Sequence, residues 1–358
     1  MARAVFSEPS MPTSVPPVIV KSNAPPPDSS GAAMALTAQP TKPGEHRRIA
    51  RDARNDLLFR GALLTCALLV LAALLGTAGS TLWGGRLAFE TFGWKFLISD
   101  HWDAVNGRFG ALVPIWGTLM TSLLAMLLAV PISFGIALFL TEVAPTWLRT
   151  PIAAAVELLA GIPSIIYGMW GLFVLAPFLA DHVDPWVNDK LGALPGVGRL
   201  FRGPPLGIGM LTAGLVLAIM VIPFISSVMR EVFHTVPTRL KESAYALGST
   251  TWEVVWNIVL PYTRSAVIGG IFLGLGRALG ETMAVTFVLG NAHQFSESLL
   301  MPSSSIASVI ANEFTEASSD LHRSTLIALG FLLFVVTFIV LAIAKLLLLR
   351  LARKEGNA

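Results

Sequence analysis

Charge and cysteine are both scarce in this sequence. Only 13% of its 358 residues are Asp, Glu, Lys or Arg, about half the charged fraction of an ordinary soluble domain. The single Cys66 excludes an internal disulfide and a cysteine-based metal cluster. The sequence has no basic stripe with interleaved aromatic residues, the pattern that would indicate a nucleic-acid partner. No G-x-x-x-x-G-K-[ST] motif and no H-E-x-x-H motif occurs. We therefore expect no nucleic acid, no metal, no cofactor, no P-loop for ATP and no catalytic residue.

Apolar residues make up most of the chain instead. They account for 54% of the sequence, and the mean hydropathy is +0.69. Apolar runs of about 20 residues, long enough to cross a bilayer, recur along the chain. Six spans are expected, near residues 58–80, 113–140, 151–178, 206–229, 265–290 and 325–349. The sequence thus predicts an all-α, polytopic protein surrounded by membrane lipid.

Lysine and arginine indicate how these spans are oriented. They are more frequent before the first span, in the even-numbered connections and after the last span than in the remaining connections. Because positively charged connections stay in the cytoplasm, we expect both termini and the segment 241–261 to be cytoplasmic.

The first 45 residues differ in composition from the rest. They contain nine prolines and show almost no apolar periodicity. Such a segment buries too little surface to offset its ordering entropy. We expect a disordered, Pro/Ser-rich cytoplasmic tail over residues 1–45, and a second, short cytoplasmic tail over residues 350–358.

The segment between the fourth and fifth spans carries the most specific pattern. Starting at Lys241 it reads KESAYALGSTTWEVVWNIVLP. It fits E-S-A-x3-G-x9-I-x-L-P through Glu242, Ser243, Ala244, Gly248, Ile258, Leu260 and Pro261. The composition predicts a short helix that Gly248 ends with a left-handed cap, and Pro261 predicts the start of the next span. A short surface helix of this kind can fit a partner's groove. The alternative is an ordinary amphipathic loop.

Two opposite charges lie inside the predicted fifth span. Arg277 would be near its middle and Glu281 one turn further on the same face. Charges at such depth usually face a bundle interior or a water-filled route. A guanidinium binds phosphate or carboxylate oxygens through paired donors, which suggests an anion pathway. The alternative is a mutually neutralising structural pair, and Glu157 in the third span is a second possible partner of Arg277.

The same predicted span contains two pairs of small residues. Gly270 and Gly274 form one Gly-x3-Gly pair, and Gly276 and Gly280 form another. Such pairs permit close approach of a neighbouring helix. A helix with charge on one side and glycine on another is expected inside a bundle.

Several longer stretches carry a family resemblance. They read ALVPIWGTL, AVPISFGIALFLTEVAP, ELLAGIPSIIYGMWGLF, MVIPFISSVMREVF, ESAYALGSTTWEVVWNIVLP, GLGRALGETMAVTFVLGN, MPSSSIASVIANEF and LFVVTFIVLAIAK. From about Ala111 to Lys354 the chain resembles the permease subunits of phosphate ABC importers. In that resemblance residues 241–261 are the cytoplasmic coupling loop, with Ser243 where the family usually has Ala.

The resemblance implies a type I ABC importer permease in a bacterial inner membrane. It implies a heterodimer with a sister permease, two copies of a cytoplasmic ATP-binding subunit, and a periplasmic phosphate-binding protein. Arg277 and Glu281 match the family's charged pair implicated in the passage of inorganic phosphate. The expected organisation is a tail (1–45), a first membrane helix with a periplasmic segment (46–112), the permease domain (113–349) and the C-terminal tail (350–358).

Three other functions remain open at this point. One is a permease for another oxyanion, such as sulfate or molybdate. Another is a membrane subunit that senses phosphate without transporting it. The third is a membrane-embedded enzyme, although no Ser/His/Asp order stands out in the sequence.

Overall fold

A computed structural model describes residues 45–355, so residues 1–44 of the expected tail and residues 356–358 lie outside the described residues. By the clustering of contacts, the chain forms two compact units, one ending at Val70 and one beginning at Leu71. Within the described range, all regular elements are helical, and β pairing is confined to two isolated bridges. The predicted all-α class is confirmed.

Fifteen α-helices follow one another along the described part of the chain. They are α1 (Glu45–Gly84), α2 (Arg86–Phe92), α3 (Lys95–Ile98), α4 (Leu112–Leu138), α5 (Thr146–Ala160), α6 (Ser164–Trp170), α7 (Ala176–Phe178), α8 (Asp184–Lys190), α9 (Met210–His234), α10 (Thr238–Ala246), α11 (Thr251–Val254), α12 (Leu260–Leu279), α13 (Met283–Val288), α14 (Ile306–Glu313) and α15 (Asp320–Glu355). π-Helical turns at Phe139–Val143, Gly171–Leu175, Leu179–Val183 and Val255–Val259 extend or join several of them. A 3₁₀ turn covers Val197–Phe201.

Six continuous helical segments among the described residues are long and apolar enough to cross a membrane. They are Asn55–Gly84, Leu112–Val143, Ser164–Lys190, Met210–His234, Thr251–Leu279 and Asp320–Leu346, here called the first to sixth spans. The predicted number of spans is confirmed, but two of the predicted ranges are wrong.

The third span begins later than predicted. The apolar run that suggested 151–178 contains two helices, α5 and the segment from Ser164, separated by Gly161–Pro163. Pro163 lacks an N–H, and its ring disfavours helical geometry for the residue before it. Hydropathy is unaffected by this break, which is why the apolar run alone gave the wrong range.

The fifth span begins and ends earlier than the predicted 265–290. It starts at Thr251, after an N-cap formed by Thr250, and ends at Leu279. Pro261 therefore lies inside the span and does not start it. The π-helical turn Val255–Val259, which ends two residues before Pro261, already departs from i→i−4 hydrogen bonding. A proline, which has no N–H to donate, fits at that position.

The fourth span is the centre of the larger core. In the most apolar stretch of this span, 61% is buried, whereas in that of the second span 33% is buried. Leu217, Ile225 and Phe233 are among its fully buried side chains. The second span packs closely along it: a Cβ added to Gly214 would lie 2.6 Å from the Leu124 side chain.

A second, smaller core lies among the connections at the other end of these helices. Its fully buried members include Phe96 of α3, Ile306 of α14 and Leu329 of α15. The larger core includes Val236 and Val254 on either side of α10, and the smaller core includes Ile306 and Val309 of α14.

Candidate functional site at the coupling helix and the end of the fifth span

Helix α10 carries the first half of the predicted coupling motif and is strongly exposed. None of its nine residues is buried, and Leu247, directly after it, is 88% exposed. Tyr245 and Trp252 also expose large parts of their side chains. Exposed apolar groups gathered on one short segment commonly mark a surface that another protein covers.

The end of α10 has the conformation predicted from the sequence. Gly248 has φ +89°, in the left-handed region. The Ser249 N–H donates to the Ala244 carbonyl over 3.1 Å, and the Gly248 N–H donates to the Tyr245 carbonyl over 3.0 Å. These bonds satisfy carbonyls that the helix end would otherwise leave free. Gly248 therefore ends α10 sharply.

A capped turn then starts the fifth span. The hydroxyl of Thr250 accepts from the Glu253 N–H over 3.3 Å, and the Glu253 carboxylate accepts from the Thr250 N–H over 2.7 Å. Farther along, Ile258 is half-buried and packs on the larger core, and Leu260 is half-buried. Pro261 is exposed. The motif thus spans the helix, the turn and the first turns of the fifth span.

The remaining motif residues lie on α10 itself. Glu242 and Ser243 are exposed, and the Ser243 hydroxyl donates to the Arg239 carbonyl over 2.7 Å. The hydroxyl that replaces the family's usual alanine methyl is thus satisfied within the helix. Ala244 is half-buried and packs on the larger core.

Lys241 forms a close ion pair between α10 and the second span. Its Nζ lies 2.5 Å from Oε1 of Glu142, and the two side chains are only 17% and 6% exposed. Glu142 lies in the π-helical turn that ends the second span. The sequence did not indicate Glu142 as a functional residue. Its signal is an acidic residue directly after a long apolar run, but nothing in the sequence indicates its partner.

Arg277 and Glu281 are not arranged as predicted. α12 ends at Leu279 with Gly280 as its C-cap, so the two residues do not share one helical face. Arg277 is exposed in the last turn of α12, whereas Glu281 follows the helix and accepts from the Ala284 N–H over 3.3 Å. Among the described residues, no ion pair joins the two. The positions remain close in sequence to the end of one span, and their role in an anion pathway stays a prediction.

Glu157 does not pair with Arg277 either. Its carboxylate Oε1 lies 2.7 Å from Nη2 of Arg230, in the fourth span. The pair joins α5 to α9 near the point where α9 leads towards α10. This contact also escaped the sequence-based analysis, because 73 residues separate its members.

The two glycine pairs of the fifth span have different surroundings. A Cβ added to Gly270 would lie 2.9 Å from a Val228 methyl, and one added to Gly274 would lie 2.6 Å from Ile225. Both therefore face α9 at close range. An added Cβ at Gly276 would lie 3.9 Å from Leu341, an ordinary contact with α15. At Gly280 an added Cβ would meet only carbonyls of its own last turn.

A polar cluster joins the end of α14 and the start of α15 to two connections. The carboxylate of Glu313 accepts a hydrogen bond from the Trp102 indole N–H over 3.0 Å. It also lies 2.9 Å from His322 Nε2 and 3.1 Å from His293 Nε2. The Trp102 and His293 rings stack with centroids 5.5 Å apart. Three separate segments of the chain are thus joined through one carboxylate.

Burial and hydrogen bonding act in opposite directions on this carboxylate. Burial raises the pKa of Glu313. The hydrogen bonds from His293, Trp102 and His322 together lower it by more than burial raises it, so the pKa lies below its ordinary value. The cluster gave no sequence signal, because its members follow no common spacing.

Comparisons with known proteins show the family of the chain. Residues 133–353 match the sequence model of a family described as the binding-protein-dependent transport system inner membrane component. A phosphate transport system permease protein PstC from Xylella fastidiosa (strain Temecula1) is 66% identical over 307 residues, which cover 86% of this chain and 94% of that protein. The proteins of the same name from Pasteurella multocida and Mesorhizobium japonicum are 58% and 55% identical, over 84% and 86% of this chain and 94% of each protein.

A solved structure gives the same result for the fold. It is that of a bacterial ABC transporter involved in the import of the acidic polysaccharide alginate. One of its chains superimposes with a TM-score of 0.56 at 20% identity, covering 85% of this chain and 99% of that one. Together with the six spans and the family match, this makes the chain a multi-pass inner-membrane protein. The chain belongs to the family of binding-protein-dependent transport system inner membrane components, alongside the PstC permeases.

Proposed function

We propose that this chain is the transmembrane permease subunit of an ATP-driven importer of inorganic phosphate. The observation that carries the proposal is the exposed, glycine-ended helix α10, placed between two membrane spans in a chain 66% identical to a phosphate transport permease. A helix so exposed, with an apolar tip at Leu247, is suited to a groove on another protein.

The partner for α10 is the ATP-binding subunit. The chain has no P-loop, so a separate protein must supply ATP hydrolysis. We propose two copies of that subunit, because this chain and its sister permease each provide one coupling helix. Closure of the ATPase pair around ATP would move α10, and α9 and the fifth span are joined directly to its ends. In the proposed orientation, with both termini in the cytoplasm, α10 lies on the side where ATP is available.

The proposed route for phosphate lies between the two permeases and passes Arg277. Its guanidinium is exposed in this chain although it belongs to the last turn of a membrane-spanning helix. An unshielded charge at such a position is costly in lipid, so its exposed side fits a polar route or the sister subunit. A guanidinium binds phosphate oxygens through paired donors.

Glu281 contributes to selectivity in this proposal. A carboxylate near the route can accept the proton of hydrogen phosphate, an interaction that sulfate does not offer. Because Glu281 also reduces the positive charge beside Arg277, the sister permease should supply further cations for a dianion. Phosphate is delivered by a periplasmic binding protein, as the family description implies for its members.

One experiment tests the substrate and the function together. Vesicles containing both permeases, the ATPase and the loaded binding protein should accumulate radiolabelled phosphate, and excess sulfate should compete poorly. Efficient competition by sulfate or molybdate would favour a permease for another oxyanion. ATP hydrolysis stimulated by phosphate without any accumulation would instead favour a sensory subunit.

A further inference from the structure

Helix α10 is tied to a span that it does not adjoin in sequence. Lys241 on α10 and Glu142 at the end of the second span are 99 residues apart in the chain, yet their charged atoms are 2.5 Å apart. Glu142 is 6% exposed and Lys241 17% exposed. A pair this well shielded from water is not weakened by solvent as surface pairs are, and removing one member leaves an uncompensated charge.

Few other contacts hold α10 in place. None of its residues is buried, and Ala244 provides its half-buried contact with the larger core. Its covalent neighbours are the fourth and fifth spans. The Lys241–Glu142 pair therefore adds the second span to the set of spans that are attached to α10.

The second span makes a defined contact at its opposite end as well. The hydroxyl of Thr118 accepts from the Ile306 N–H, the first residue of α14, over 2.9 Å. Directly beside it, a Cβ added to Gly117 would lie 2.2 Å from the Ser304 carbonyl oxygen, so the two backbones approach closely. The second span thus contacts α10 through the C-terminal end of the span and α14 through the N-terminal end of the span.

The geometry points to Glu142 as a positioning residue for transport: through its pair with Lys241, it makes the second span follow the movement of α10. This inference rests on the proposed function and adds a residue to it. Glu142 contacts neither ATP nor phosphate in this role. Without the pair, α10 follows the ATPase while the second span and α14 stay behind, so ATP is hydrolysed with less transport.

The test uses charge reversal in the complete complex. Glu142→Lys, Lys241→Glu and the double exchange are each assembled with the sister permease and the ATPase in vesicles, with loaded binding protein. The measured quantity is the number of phosphate ions taken up per ATP hydrolysed, relative to the unaltered complex. We expect each single reversal to lower this ratio about fivefold or more, the usual range for loss of coupling between sites. The double exchange should restore most of it.

Glu157→Gln is the matched control. It breaks the 2.7 Å pair with Arg230, an ion pair on the neighbouring α5 that does not involve α10, and should leave the ratio unchanged. An unchanged ratio in both single reversals would overturn the inference, as would an assembled double exchange that is no better than the single variants. If charge reversal prevents assembly, Glu142→Gln replaces it, and a normal ratio in that variant contradicts the inference.

If the proposed function is wrong, the result differs from the one expected when only the inference about Glu142 is wrong. In that case the unaltered complex takes up no phosphate. Uptake of the oxyanion that it does carry, per ATP hydrolysed, then provides the same comparison between variants.

Discussion

The guanidinium carbon of Arg277 lies 5.6 Å from the centroid of the Phe224 ring. The two residues belong to the fifth and fourth spans, and the ring is half-buried while the arginine is exposed. A cation–π contact at an exposed site stabilises by about 0.5–1 kcal/mol. The ring therefore orients the guanidinium but leaves its donors available to another group.

Arg277→Gln should strongly reduce phosphate uptake and leave the complex assembled. Loss of the cation–π contact is a small change in stability, whereas loss of charge-assisted hydrogen bonds to phosphate should reduce uptake about ten- to a hundredfold. Uptake of radiolabelled phosphate and size-exclusion chromatography of the same preparation measure the two effects. Arg277→Lys keeps the charge but not the paired donors. Its phosphate uptake should lie between that of Arg277→Gln and that of the unaltered protein.

The double variant Arg277→Gln with Glu281→Gln distinguishes a pathway from a neutralising pair. If the two charges only balanced each other, joint neutralisation would be tolerated. We expect the double variant to assemble and to remain inactive in uptake. Near-normal uptake by this variant would contradict the pathway assignment.

Gly248→Asp and Glu242→Lys should each uncouple ATP hydrolysis from the loaded binding protein. At φ +89° a residue with a Cβ is strained by about 1–2 kcal/mol, although no neighbouring atom lies within 4 Å of the position. The aspartate would also add a negative charge beside the exposed Leu247, and the lysine would reverse the charge on the exposed face of α10. ATPase activity stimulated by the binding protein, and uptake, should both fall.

Gly248→Asn is the matched control, because asparagine and aspartate both adopt left-handed geometry more readily than most residues and asparagine adds no charge. It should retain most of the stimulated activity. Normal stimulation in both Gly248→Asp and Glu242→Lys would show that α10 is not the coupling element.

Cysteine labelling tests the proposed orientation. In a Cys66→Ala background, probes at Val105, which is 95% exposed, and at Lys190 should react with a membrane-impermeant reagent in intact spheroplasts. A probe at Leu247 should react only after permeabilisation of membranes that lack the ATPase. Reaction of the Leu247 probe in intact spheroplasts would invert the topology.

Glu313 should stabilise the fold in a pH-dependent way. Its pKa in the folded protein lies below the ordinary value of 4.5, so the charged form is favoured by folding. The stabilisation is therefore fully present above about pH 4.5 and is lost as the pH falls through the folded-state pKa.

Glu313→Gln should lower the melting temperature of the detergent-solubilised protein at neutral pH, by an amount that corresponds to about 1–3 kcal/mol. The difference from the unaltered protein should shrink as the pH falls below the ordinary value. Glu316→Gln, at an exposed neighbouring position, is the control and should have little effect. A Glu313→Gln difference that grows towards acidic pH would contradict the direction of the pKa shift.

The sequence predicted the membrane spans by number but not all by range. Apolar runs of sufficient length are a strong local signal, whereas the break before Ser164 depends on Pro163, and Pro occurs both at breaks and inside helices. Pro261 shows the second case, because a π-helical turn accommodates it within the fifth span. Position in a turn of this kind has no signature in hydropathy.

Contacts between distant segments were beyond the sequence-based analysis for a different reason. The cap at Gly248 depends on neighbours in the chain, so composition and spacing predicted it. The partners of Glu142 and Glu157 depend on how α4, α5, α9 and α10 pack, and the Glu313 cluster depends on three connections meeting. None of these pairings repeats at a fixed spacing that a single sequence displays.

The π-helical turn Val255–Val259 also gives a physical meaning to the spacing within the coupling motif. Nine residues separate Gly248 from Ile258, and this interval includes the start of the wide turn. One residue of an α-helix corresponds to a rotation of about 100° around the axis. Deleting one residue of α11, with the wide turn kept, would turn the end of α10 by about that angle around the axis of the fifth span. The length of this interval therefore fixes the direction in which α10 leaves the fifth span, independently of which side chains occupy it.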